Sequence, residues 1–128
     1  MTYVYLASPY SHPDPQTRHF RYTEAMRCVA WLLNNRICWP HSPILHCHPL
    51  VIAHNLPTDH HFWLPYNQAM LLPASKLLIL TLPGWQDSAG VDHEVTIAHE
   101  IHKPIEFITP AHLDSYIHVP APETANAI

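Results

Sequence analysis

Glycine is almost missing from this chain: two residues in 128, against fourteen prolines. Glycine permits backbone conformations and close approaches that other side chains forbid, so its two positions mark where backbone shape matters. Both fall in one stretch, Pro83-Gly84-Trp85-Gln86-Asp87-Ser88-Ala89-Gly90-Val91-Asp92-His93-Glu94. Cysteine is scarce and unpaired. Cys28, Cys38 and Cys47 contain no CxxC, which excludes a disulfide framework and a thiol-rich zinc site. Charged residues make up only 12%, with a net charge of −4 and no basic stripe, which argues against polymeric nucleic acid as partner. A small charged ligand stays open. No apolar run approaches the length of a membrane span, and Met1 to Tyr5 lacks the basic region and long apolar core of a signal peptide. The expectation is a cytoplasmic protein with no membrane partner.

Apolar residues make up 48% of the sequence, enough for a packed core rather than a disordered chain. The length suggests one domain, residues 1–119, followed by a flexible tail over 120–128. Thirteen histidines make the charge responsive to mildly acidic pH.

Tyr3 to Ala7 reads as a first strand. Asp14-Pro15 is a helix start, with an aspartate cap and proline at the first helical position. Tyr22, Ala25, Met26, Val29, Ala30 and Leu33 then fit one face of a helix ending near Asn34. Ile37 to Trp39 suits a short strand. Pro40 to Thr58 reads as a long irregular region with room for one helix, His48 to Asn55. His60 to Leu72 has a helical pattern with Phe62, Trp63, Tyr66 and Met70 inward, and Pro65 placed in its first turn. Lys76 to Leu82 is a continuous apolar strand of the kind buried on both faces of a parallel sheet. Ser88 to His102 is a helix, Pro104 to Ile108 a strand, and the residues after Thr109 read as a short helix to Tyr116. This alternation predicts an α/β fold: a flavodoxin- or Rossmann-like three-layer sandwich on a mainly parallel sheet of about four to five strands. Ligands of such folds sit at the carboxyl ends of the strands, here Tyr5 to Ser8 and Pro83 to Gly90.

Gly90, Glu94, Ile97, Ala98 and Ile101 share one stripe of the glutamate helix. A carboxylate among small and apolar positions either sits at the stripe's edge and reaches water, or is a catalytic group above the sheet. Ser88 is a natural N-cap, and the free amides of Ala89, Gly90 and Val91 would make an anion site suited to phosphate. An ordinary capped helix accounts for Ser88 alone.

The opening Tyr5-Leu6-Ala7-Ser8-Pro9-Tyr10, the segment Ser88-x-Gly90-Val91-x-x-Glu94 and the later Lys103-Pro104 resemble the nucleoside 2-deoxyribosyltransferase superfamily over roughly residues 3–108. The resemblance implies attack at C1′ of a deoxyribosyl group by Glu94, oriented by the Tyr5 hydroxyl, with the glycosyl group passing to water or another base. Where the transferases often carry an aspartate, this chain has Ser88. That is similar to the branch that hydrolyses deoxynucleoside 5′-monophosphates, and it implies phosphate binding by the serine. The implied ligand is a small nucleotide or nucleoside. Ala7, Ser8, Asn67, Ser88, Gly90, Trp85 and His46 are the candidate residues to contact it. The resemblance also implies a homodimer or higher homo-oligomer, and no cofactor.

One position departs from that pattern. Asn67 stands where family members usually carry the aspartate that protonates the leaving base, and an amide has no proton to deliver. Asp87, Asp92 and His46 are substitute acids; otherwise the base leaves unaided, or the protein binds a nucleotide without turnover. The histidines leave a third possibility, a metal-dependent hydrolase. His93-Glu94 lacks a second histidine at the zincin spacing, because Ile97 stands there. His46/His48, His60/His61 and His99/His102 give no ligand set by spacing alone, so no metal is expected. Tyr10, Trp63, Tyr66 and Trp85 are candidates to stack on a base.

Overall fold

In a computed structural model, residues 1–114 are described. Four strands, β1 (Tyr3–Ala7), β2 (Trp39–His41), β3 (Leu77–Leu80) and β4 (Ile105–Ile108), form one sheet in the order β2-β1-β3-β4. Every neighbouring pair is parallel. Four α-helices connect them: α1 (Pro15–Asn34), α2 (Pro43–His54), α3 (His60–Leu71) and α4 (Ala89–Glu100). This is the α/β flavodoxin-like order expected of a doubly wound sheet. Among the described residues, no helix is long and apolar enough to cross a membrane. The tail expected over 120–128 and the end of the helix drawn to Tyr116 lie outside the described residues; after β4 the described chain makes a 3₁₀ turn, Pro110–Leu113.

The sheet has a core on each face because its central strands are apolar at successive positions. Val4 and Leu6 of β1 join Leu78 and Leu80 of β3 against Cys28 and Leu32 of α1. Tyr5, Ala7, Leu77 and Ile79 point the other way, against Leu71 of α3 and Val91, Ile97 and Ala98 of α4. The register pairs Tyr5 with Leu77 and Ala7 with Ile79, so Tyr5 is fixed on the α4 side. A third cluster packs Tyr10, Ala25, Ile44, Cys47 and Trp63 where α1, α2 and α3 meet.

Some local expectations shift. β2 begins two residues later than expected and contains Pro40. It is an edge strand, where a proline costs no ladder bond on the open side. In α1 the sheet-facing stripe is Ala25, Cys28 and Leu32, while Met26 and Leu33 are exposed; apolar residues nearly all round the helix hid its true face. Phe62 and Tyr66 of α3 are exposed, as is Ile101, which caps α4 from outside its last turn. Pro65 falls in the second turn of α3, not the first, so the helix forgoes the bond its N–H would make to the His61 carbonyl.

Candidate functional site

β1 and β3 leave the sheet side by side, and the chain from β1 crosses toward β2 while β4 lies beyond β3. The carboxyl ends of two strands whose connections diverge form a crevice. A cavity of about 270 Å³ lies there, a size that suits a small molecule rather than a polymer.

Its floor comes from two elements. Glu94 lines the cavity one turn into α4, and its carboxylate is buried at 9% exposure. Burial pushes its pKa up to about 7, against a weaker downward pull from the Tyr5 hydroxyl. Tyr5 is fully buried beneath it. Burial, then the charge of Glu94, raises the tyrosine pKa well above its usual value. The two groups are close enough to shift each other, yet the geometry does not close a hydrogen bond: the Tyr5 hydroxyl and Glu94 Oε2 are both buried without a partner. Ser8, the first residue past β1, also lines the cavity with its buried Oγ unpartnered. Unsatisfied buried polar groups are costly. Two of them line one cavity and a third lies directly beneath, which marks a place prepared for a ligand.

The start of α4 forms the adjoining wall. Ser88 caps the helix by accepting from the Val91 amide at 3.2 Å. Its hydroxyl proton remains to be donated. The amides of Ala89 and Gly90 lie in the first turn, where no carbonyl precedes them inside the helix. Gly90 has an ordinary helical backbone. A Cβ placed on it would stand 3.9 Å from both Glu94 Oε1 and Ser88 Oγ and 3.7 Å from the His60 Cβ. Those three groups therefore bound one small open space. Gly84 is different: its φ of +89° favours glycine, and an added Cβ would lie 2.8 Å from Arg21 Nη2. Arg21 donates to the carbonyls of Ser11 at 3.0 Å and Pro83 at 3.4 Å, tying the loop after β1 to the loop after β3.

The rim is assembled from elements distant in sequence. Pro43, Ile44 and Cys47 of α2 contribute an apolar side. Burial lifts the Cys47 thiol to about 12, which keeps it protonated and inert near neutrality. Trp63 and Asn67 come from successive turns of α3, and the Trp63 indole donates to the Pro57 carbonyl at 2.8 Å. Ser11 and Thr58 close the gap between loops through a Ser11 hydroxyl bond to the Thr58 carbonyl at 2.7 Å. Tyr10 lines the cavity while its hydroxyl meets buried His48 Nδ1 at 2.7 Å.

Of the candidate residues, Glu94, Ser88, Gly90, Ser8 and Asn67 meet at this cavity, with Tyr5 beneath it. Three do not line it. Ala7 is packed into the core against α4. Trp85 turns toward Phe107, with ring centroids 5.6 Å apart. His46 stacks on Tyr66 at 4.9 Å. Among the three substitute acids, Asp87 lines the cavity, and Asp92 and His46 do not. Thr58, His60, Ser11 and Cys47 were not among the expected contacts. The Asp59 cap, which accepts from the His61 amide at 3.0 Å, is the local signal that could have directed attention to His60.

A family model described as a domain of unknown function (DUF1937) matches residues 2–109. The chain belongs to that family. No curated protein matches it.

Proposed function

We propose that this DUF1937-family chain cleaves the N-glycosidic bond of a small nucleotide, a deoxynucleoside 5′-monophosphate, with Glu94 as nucleophile. One observation carries the reading. A buried carboxylate with a pKa near 7 sets Oε1 beside the same small space as the capped N-terminus of α4, while its Oε2 is buried without a partner. Strongly perturbed carboxylates in clefts are characteristic of catalytic groups, and a helix N-terminus favours an anion such as phosphate. The resemblance to the deoxyribosyltransferase superfamily independently selects the same residues.

In this mechanism ionised Glu94 attacks C1′, and the C–N bond breaks with its electron pair on the base nitrogen. Ser88 and the first amides of α4 hold the phosphate, and Tyr5 steadies the carboxylate from below. Water then hydrolyses the glycosyl ester, releasing the sugar phosphate and regenerating Glu94. The departing base takes its proton from water or Asp87, since Asn67 can hydrogen-bond the base but has no proton to give. Because the nucleophile must be ionised, turnover rises with pH through about 7.

A second reading, nucleotide binding without turnover, is favoured by the presence of Asn67 in the cavity lining. A panel of nucleosides and nucleotides followed by mass spectrometry separates the two. Free base from a monophosphate supports cleavage. Ligand-induced thermal stabilisation with no product over long incubation supports binding alone, and neither response to any nucleotide would overturn both.

A further inference from the structure

Among the described residues, Asp59, His60 and His61 bring one ligand atom each within 4.8 Å of one another, and His60 also lines the cavity. We propose that these three residues form a binding site for a divalent ion of the zinc class, beside the cavity that His60 lines. The inference does not depend on the glycosidase reading.

The spacing is close to what an ion requires. Asp59 Oδ1 lies 3.6 Å from His60 Nδ1, and the two imidazole centroids are 4.0 Å apart. Ligand atoms about 2.0–2.2 Å from zinc stand roughly 3.0–3.5 Å from each other. Small rotations of the three side chains close the remaining gap, and Asp59 and His61 are exposed and free to make them. Two imidazoles and one carboxylate select a borderline transition metal over magnesium or calcium, which prefer oxygen ligands. The positive end of α3 opposes a cation, but that end carries only about half an elementary charge. The Asp59 carboxylate carries a full negative one, and the His61 amide engages only its Oδ1.

The cavity itself provides the independent sign of a ligand. Glu94 and Ser8, each 9% exposed, both line it, and each holds a buried oxygen without a partner, Oε2 and Oγ respectively. The His60 Cβ and Glu94 Oε1 flank the same point above Gly90, at 3.7 and 3.9 Å. Three protein ligands leave at least one position free on the ion, as in sites that also bind a small molecule, and of the three His60 is the one that borders the cavity.

The test is calorimetric titration of chelator-stripped full-length protein with Zn²⁺, alongside the triple variant Asp59→Asn, His60→Gln, His61→Gln. Asparagine retains the helix cap, and equal melting temperatures in chelator certify the variant's fold. The expected result is one Zn²⁺ per wild-type chain with micromolar affinity, weakened in the variant by more than about 100-fold, the upper range for loss of even an outer-sphere partner. Unchanged Zn²⁺ affinity in the triple variant, or wild-type binding no tighter than millimolar, overturns the proposal. If the triple variant does not fold, exposed His61→Gln decides alone: a loss of at least about 10-fold supports the site, and an unchanged affinity overturns it.

Discussion

The floor and the rim of the cavity are built on different principles. Tyr5 and Glu94 come from a central strand and the helix packed on it, both locked by the same apolar cluster. The rim comes from loops and helix ends of α2, α3 and the β1–α1 connection, held by single bonds such as that from Ser11 to the Thr58 carbonyl. The floor keeps the Glu94 carboxylate buried and poorly solvated; the rim shapes what can enter. A carboxylate at the floor therefore comes at a cost in stability, while changes at the rim should alter binding with little effect on the fold.

The sharpest break of this contrast is Glu94→Gln. Glutamine preserves shape and removes the proposed nucleophile, so turnover of a nucleotide substrate should fall on the order of 10³-fold or more. A rim substitution such as Thr58→Ala, measured in the same assay, loses far less.

The same residue sets a pH dependence of stability. Its folded pKa of about 7 lies above the ordinary 4.5, so the protonated form favours the folded state. That contribution is fully present below pH about 4.5 and is lost as pH rises through about 7, by roughly 3 kcal/mol in all. Thermal melts should show Glu94→Gln more stable than wild type at pH 8 and nearly level with it at pH 4.5. A wild-type advantage at pH 8 would contradict the buried carboxylate.

Next in size is Ser88→Ala. It should weaken binding of a nucleoside monophosphate by roughly 1.5–3 kcal/mol, the range for a hydrogen bond to a charged group, and leave the matching nucleoside nearly unchanged. Equal losses for both ligands in a binding titration would separate Ser88 from phosphate.

The two glycines give the smallest and most discriminating pair. Gly84→Ala forces a side chain into a left-handed backbone against Arg21 and should cost about 1–2 kcal/mol in a denaturant melt. Gly90→Ala meets only ordinary contacts, so it should hold or gain up to about 1 kcal/mol of stability as a helical alanine. Its methyl group occupies the space beside Glu94, so ligand affinity should fall instead.

The floor was legible from sequence because its parts are local. Ser88, Gly90 and Glu94 lie within two turns of one helix, and the Tyr3–Ala7 strand announces itself by composition. The rim was not, because it depends on how Pro40 to Thr58 folds back over the sheet. That region read as irregular apart from a helix over His48 to Asn55, yet α2 begins five residues earlier, at Pro43. Proline at the first helical position is compatible with a helix, but Ser42, unlike Asp14, makes no side-chain cap bond, so the start has a weaker local signal. The outward turn of Trp85 and the stacking of His46 on Tyr66 follow from tertiary packing, which spacing along the chain does not encode.

The central claim is that Glu94 forms a bond to the sugar. Acid-quenched reaction with a deoxynucleoside 5′-monophosphate, followed by proteolysis and mass spectrometry, tests it directly. The account predicts a deoxyribose 5-phosphate adduct on the peptide containing Glu94, absent in Glu94→Gln. Release of free base by the Glu94→Gln variant at the wild-type rate, with no adduct on that peptide, would contradict it.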